Sequence, residues 1–347
     1  MIAAASLLLA TLPSAPPTYA KDVAKILNRA CVECHRPGQV APFSLIGYAE
    51  ARKRSGMIAA VTEAKLMPPW KAVKDYNHFL DENRLEPGEI ETLRRWHEAG
   101  APRGDARQEP KPPTFASEWP LGKPDLVLQA ERPFTIPAEG PDIYRNFVIK
   151  TDFDKPTWVR AMDVRPGNPK VVHHVIAFLD EGGRSVELER RTQDGQPGYN
   201  GFGGVGFVPS GSLGGWAPGL RPRKTPEGTA FLIKPGTKVV LQVHYHPSGK
   251  VETDRTQIGL YVDEKPPERQ MRLHWMFNFF VDIPPGVPNH KMRRTVHIPA
   301  DVTVYNAMPH MHLLGKSMKA WAVKPDGSQV PLVWVDDWDF NWQITYA

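Results

Sequence analysis

Cysteine is nearly missing from this sequence. Of 347 residues only Cys31 and Cys34 carry a thiol, so no disulfide framework can be built from it. Long apolar runs are missing as well. Beyond the first dozen residues nothing approaches the roughly 18 consecutive apolar residues that a membrane helix needs. No run of Lys or Arg and no basic patch interleaved with aromatics occurs, so the formal charge of +5 is no footprint for nucleic acid. A mildly basic exported protein is the reading that remains. What the chain has in quantity is proline, 36 residues, and glycine, 28, a composition that favours turns and short strands over long helices. At 41% apolar and 23% charged it is ordinary globular material, long enough for two or three domains.

The first twenty residues are built like a secretory signal. Ile2 to Leu12 supplies a short apolar core and Thr18-Tyr19-Ala20 a small-residue cleavage site before Lys21, with no Lys or Arg ahead of the apolar core. A periplasmic or secreted location is therefore expected. Asp22 to Ala30 reads as a helix that runs into Cys31-Val32-Glu33-Cys34-His35. Two thiols three residues apart, followed at once by an imidazole, suit covalent attachment of haem. Each cysteine takes one vinyl thioether and His35 is directed onto the iron. A zinc or redox Cys-x-x-Cys is the competing reading, but zinc wants two further ligands and there is no other cysteine.

A second axial ligand is expected at Met67, in Met67-Pro68-Pro69-Trp70, where the prolines end the helix running from Tyr48 and stiffen the loop. Met57 is the rival, in a mid-helix position where methionine ordinarily fills a core. A last helix, Pro87 to Ala99, places Ile90, Leu93 and Trp96 on one stripe and ends at Gly100. His78 and His97 read as surface residues. Residues 21–105 thus form a small all-α, one-haem domain, and the proline-rich residues 106–124 a stiff linker.

Beyond the linker the periodicity changes. Asp125–Ala130, Tyr144–Lys150, Thr157–Asp163, Lys170–Phe178, Lys238–His246 and Gln257–Val262 are short and rich in β-branched residues, the pattern of an antiparallel sandwich or jelly roll over 125–265. The glycine-rich Gly195–Gly219 reads as loop. A second β series follows in 266–347: Met271–Phe280, Arg294–Ile298, Val302–Asn306, Lys319–Val323 and Pro331–Val335.

Histidines fall inside these runs. His173 and His174 are adjacent in an apolar strand, so both can reach one metal only at a bulge or a strand end. His244 and His246 share one strand face. His310 and His312 would project together from an extended backbone as a ready pair of ligands for copper or zinc.

His173-His174, the strand Leu241-Gln242-Val243-His244-Tyr245 and the stretch His310-Met311-His312-Leu313-Leu314-Gly315 occur in the order found in the copper type II, ascorbate-dependent monooxygenases. This family includes peptidylglycine α-hydroxylating and dopamine β-monooxygenases, and the chain resembles it from about Asp125 onward. The resemblance implies two consecutive jelly-roll domains, each with one copper, facing one another across a solvent gap. It implies that His173, His174 and His244 hold an electron-transfer copper and that His310 and His312 hold the oxygen-site copper. It further implies a methionine ligand well downstream of the His-x-His. Ala347 stands only 35 residues past His312, so the second sandwich is expected to be incomplete and that methionine to lie beyond residue 347. Met308, Met311 and Met318 are too near to take its place. The peptide-amidating branch has an arginine two residues before the His-x-His. Met308 stands there in this chain, which argues against a peptidylglycine substrate. The animal enzymes are held by disulfides, whereas both cysteines here are assigned to haem. The leading domain separately resembles cytochrome c, with Met67-Pro68-Pro69-Trp70 as in exported bacterial fusions of the two modules.

The function this implies is hydroxylation of an activated C–H bond of an unidentified organic substrate by O2 and two electrons. An ascorbate-like reductant or redox protein would supply the electrons, with the two coppers and the haem c as cofactors. From another class comes an exported electron-transfer cytochrome c whose sandwich is a non-catalytic binding module, its histidines serving in packing. Copper handling without turnover is a third reading.

Overall fold

The computed structural model describes residues 15–80, 82–115, 119–151, 153–201, 204–278 and 280–347. Two compact units emerge. One comprises Met1–Pro37, Ala41–Trp70 and Asn83–Pro113; the other comprises Gly38–Val40, Lys71–Glu82 and Thr114–Ala347. The described chain is mostly β-sheet, with five α-helices.

The first unit contains α1 (Ala24–Ala30), α2 (Tyr48–Lys53), α3 (Ser55–Glu63) and α4 (Pro87–Glu98). Val23, which caps α1, and Ile26, Leu27 and Ala30 within it are buried and recur at helical spacing, so one face meets the core. Helix α4 starts on Pro87 with a reciprocal cap between Glu86 and Glu89; of the expected stripe, Leu93 and Trp96 are buried and Ile90 half-buried. The helix expected from Tyr48 to the proline loop is broken at Arg54 into α2 and α3.

Residues 1–14 of the expected signal lie outside the described residues. Its carboxy-terminal part does not: Tyr19 and Ala20 are buried in a π-helical turn, Tyr19–Val23. Their amides donate to the carbonyls of Pro102 and Arg103, both at 2.9 Å. Tyr19 also packs against the rings of Tyr48 and Trp96. The expected cleavage point after Ala20 therefore falls inside the folded unit, because Tyr19 is one of its core side chains.

The second unit opens with β1 (Leu126–Gln129), β2 (Phe134–Ile136), β3 (Ile143–Ile149), β4 (Thr157–Arg165) and β5 (Val172–Asp180). After α5 (Arg184–Arg191) come β6 (Tyr199–Asn200), β7 (Gly211–Trp216), β8 (Thr229–Ile233), β9 (Lys238–Tyr245), β10 (Glu252–Asp254), β11 (Gln257–Asp263) and β12 (Arg269–Met271). They form two five-stranded sheets, ordered β1-β11-β4-β8-β12 and β6-β3-β9-β5-β7, with β2 and β10 as a separate pair. Side chains from both sheets interlock in one core that includes Phe147, Val175, Leu241, Val243 and Tyr245 from one sheet and Val159, Ile233, Ile258 and Leu260 from the other. This is a β-sandwich, held by burial of apolar area.

All six strands expected in 125–265 are present within a few residues of their expected ends. Helix α5 and strands β2, β6, β7, β8 and β10 are additions, β6 and β7 inside the stretch read as loop. Strand β7 is built largely from glycine, yet it pairs with β5. A Cβ on Gly215 would sit 3.0 Å from the carbonyl oxygen of Val175, so the close approach to β5 is what the glycine permits. Arg145 of β3, buried to 1% exposure, spends its donors on Asp194, Asn200 and the carbonyls of Gln196, Pro197 and Gly198, which fastens the loop before β6.

Residues 266–347 depart further from expectation. The described residues there form β12, and a two-stranded antiparallel sheet of β13 (Met318–Val323) and β14 (Gln329–Val335). The runs Met271–Phe280, Arg294–Ile298 and Val302–Asn306 are not strands, apart from Met271 at the end of β12, and Phe279 lies outside the described residues. Their β-branched and aromatic residues have no neighbouring strand to pair with; Phe280 is 89% exposed and Val302 63%. Propensity alone does not make a strand without a partner. The β14 edge of this sheet is met instead by the chain around Ala72 and Val73. Ala72 bridges Val335, Val73 N–H donates to Trp334 O at 2.8 Å, and Tyr76 packs edge-on to Trp334. The helical domain expected over 21–105 is thus interrupted, because the segment Lys71–Glu82 groups with the β-rich unit, its described residues forming turns and one isolated bridge at Ala72.

Asp163 on β4 is buried to 3% exposure, and its Oδ2 has no hydrogen-bond partner among the described residues. Burial raises its carboxyl from 3.8 to about 6, opposed by the Val164 amide. Because the folded value is the higher one, ionisation disfavours the fold increasingly as pH rises from about 4 to about 6. The loss above pH 6 is about 3 kcal/mol at most. Urea titrations across pH 4 to 7.5 should show this slope in the wild type and its loss in Asp163→Asn; an unchanged slope would refute the assignment.

A candidate metal centre

The histidine cluster arises from the pairing of β5 with β9. Residue by residue, His174 faces His244, Val175 faces Val243 and Ala177 faces Leu241, but Val172 faces Tyr245, so the register shifts at His173. His173 is the extra residue of a β-bulge, which lets two adjacent side chains turn to the same side. That is the condition the sequence set for both imidazoles to share one metal.

The three rings then converge. Nδ1 of His173 lies 3.2 Å from Nδ1 of His174, which lies 3.3 Å from Nδ1 of His244, and one ligand atom from each of the three residues falls within 4.8 Å of the others. Tetrahedral ligands with metal–nitrogen bonds of about 2.0 Å stand about 3.3 Å apart. The two short spacings therefore match the edge length of a tetrahedral metal site. His244 is fully buried and His174 nearly so.

Asp142, just ahead of β3, accepts from Nε2 of His244 at 2.7 Å and from Nδ1 of His246 at 2.7 Å. His246 thus turns to the carboxylate, away from the cluster, although it follows His244 at strand spacing. Tyr144 of β3 stacks on the His244 ring at 4.2 Å, the planes 10° apart. Neither Asp142 nor Tyr144 stands out in the sequence. For Tyr144 the signal was its register opposite His244, visible only once β3 and β9 are paired.

Electrostatics keep the cluster neutral. Burial lowers His173 to about 4, helped by the proximity of His244. Burial likewise holds His174 well below its ordinary value, with His244, His173 and His310 adding to the effect. His244 is lowered by burial against the opposing pull of Asp142. Burial would raise Asp142, but hydrogen bonds from His246 and His244 outweigh it and leave the carboxyl below its usual range. Neutral imidazoles with free lone pairs are the form that binds metal.

His310 and His312 lie on irregular chain, not on the expected strand, with Ala307 bridging only Tyr346. Their rings are 5.3 Å apart and perpendicular, 89° between planes. His310 Nδ1 donates to Gln343 Oε1 at 2.7 Å, which leaves its Nε2 free. Burial lowers His310, opposed by Gln343. A small crevice is lined at once by His174, Trp216 and Leu220 and by Met308 and Gln343, so the second histidine pair lies in the neighbourhood of the first cluster.

In the helical unit, Cys31, Cys34 and His35 occupy one turn after α1: the amides of Cys34 and His35 both donate to Cys31 O, at 3.2 and 2.9 Å. The thiols are not joined to each other, and burial pushes Cys31 up to about 12. His35 Nδ1 donates to Phe43 O at 3.2 Å, so its Nε2 is left for a ligand. Met67 is half-buried in the loop after α3, its amide donating to Val61 O. Met57, read as a core position, is 53% exposed because it lies on the outer face of α3.

No protein-family profile and no curated protein matches this chain.

If the three Nδ1 atoms form the site, His174→Ala should abolish tight 1:1 zinc binding measured by calorimetry. His246→Ala, which touches only the carboxylate, should cost less than tenfold. Equal losses in the two variants would refute this ligand set.

Proposed function

We propose that this chain is an exported, copper-dependent monooxygenase that hydroxylates a C–H bond of an organic substrate with O2, with an attached haem c domain as electron donor or relay. The observation that carries the reading is the convergence of three neutral imidazoles, two from a bulge and one from the facing strand, at spacings that suit a tetrahedral metal. Imidazole nitrogen suits copper in both oxidation states. Copper, when bound, would supply one-electron chemistry and the activation of O2.

The chain's own residues have separate tasks. His173, His174 and His244 would hold the electron-transfer copper. His310, oriented by Gln343, and His312 would hold the oxygen-site copper. Cys31 and Cys34 would anchor haem by thioethers while His35, its Nδ1–H engaged by Phe43 O, offers Nε2 to the iron; Met67 is the second axial ligand in this reading. Trp216 and Leu220 give the crevice beside His174 an apolar wall, suited to excluding water. An ascorbate-like reductant or a redox protein would supply electrons.

Metal and haem analysis of the protein isolated from an exporting host tests the reading. One tight copper, a second weaker copper and one covalent haem per chain are expected, with His173→Ala removing the tight one. Copper absent while haem is present would leave an exported cytochrome with a binding module. For the haem, Met67→Ala should abolish the far-red charge-transfer band of the oxidised protein; a band that survives means another axial ligand.

A further inference from the structure

Asp142 serves two histidines with one carboxylate. Oδ2 lies 2.7 Å from Nε2 of His244 and Oδ1 lies 2.7 Å from Nδ1 of His246. An ionised carboxylate only accepts, so the proton of a neutral His244 sits on Nε2 and the lone pair on Nδ1. Nδ1 is the atom turned toward His174. The opposite tautomer would aim an N–H into the cluster, where a metal must be met by lone pairs. Two further contacts hold the arrangement: Tyr144, two residues along, stacks on the same ring, and the His246 amide donates to Val171 O at 2.9 Å, tying the end of β9 to the residue before β5. The start of β3, the end of β9 and the start of β5 therefore meet around one carboxylate.

We propose that Asp142 is a positioning residue that selects the tautomer of His244 and locks its ring, so that Nδ1 is the metal-binding atom. The proposal rests on the reading of His173, His174 and His244 as a metal centre. His246 is then an anchor for the carboxylate, and the carboxylate–histidine–metal arrangement is completed by a residue that touches no metal.

Zinc(II), diamagnetic and redox-silent, is the probe, added to the full-length protein. NMR of the imidazole nitrogens in the metal-free wild type should show His244 protonated at Nε2, with slow exchange. In Asp142→Ala this proton should exchange fast or share both nitrogens, and zinc affinity should fall about 10- to 100-fold. Asp142→Asn keeps an acceptor oxygen for His244 and should retain the Nε2–H tautomer with a smaller loss. A merely structural role would change melting temperature without changing the tautomer. The proposal is overturned if the metal-free wild type carries the proton on Nδ1, a result that needs no variant to fold. It is also overturned, with the metal centre intact, if wild type and Asp142→Ala bind zinc equally well. A wild type that binds neither zinc nor copper overturns the metal centre itself and leaves Asp142 no metal to serve.

Discussion

From His174 to Asp180, β5 is laddered against β9 without interruption, and the placement of every cluster residue depends on that ladder. Val175, Ala177, Val239, Leu241 and Val243 share one core and are all at or below 1% exposure. Sliding either strand by one residue would turn these side chains to the wrong face, so the apolar core fixes the register, and the register places His174 opposite His244. The bulge at His173 then does the one thing a regular strand cannot, bringing a neighbour onto the same side. Burying His174 and His244, and His173 in part, carries a desolvation cost. The hydrogen bond to Asp142 and the stacking of Tyr144 offset part of it, and a bound metal would satisfy the remaining lone pairs.

The same logic orders the turn after α1. A helix packed through Val23, Ile26 and Leu27 ends where Cys31 takes its place at the cap. The i-to-i+4 bond from His35 N–H to Cys31 O keeps thiols and imidazole on one local scaffold. Phe43 supplies both the carbonyl that engages His35 Nδ1 and a ring 4.7 Å from the imidazole, so orientation and partial shielding come from one residue. Burial lowers the His35 pKa as well, which leaves that imidazole neutral and available.

What could be read in the sequence followed period and spacing. Strands β3, β4, β5, β9 and β11 were legible because their β-branched runs lie in a sheet interior. Helix α4 was legible because proline, cap and apolar stripe coincide. The adjacency of His173 and His174 even stated its own requirement for a bulge. Asp142, Tyr144 and Gln343 were not legible, because each acts across a sequence separation of 33 residues or more and none belongs to a motif. Strand β7 was hidden by its glycines. The runs around Val302 and Arg294 misled for the opposite reason: their residue types favour strands, but the described chain provides no edge for them.

The segment Lys71–Glu82 has a consequence for the order in which the chain can assemble. A ribosome emits residues 1–113, and with them all the pieces of the helical unit, long before β14. Residues 71–80 find these partners only once residues 320–347 have emerged, since Tyr76 donates to Ala320 O, Ala72 bridges Val335 and the Leu80 amide donates to the carbonyl of Ala347. Until then a stretch bearing Tyr76, Phe79 and Leu80 leaves an otherwise complete helical unit as an open excursion, closed last by contacts of very long sequence range. Vectorial synthesis therefore separates the helical chemistry, available early, from the docking of residues 71–80, which waits for residues 320–347.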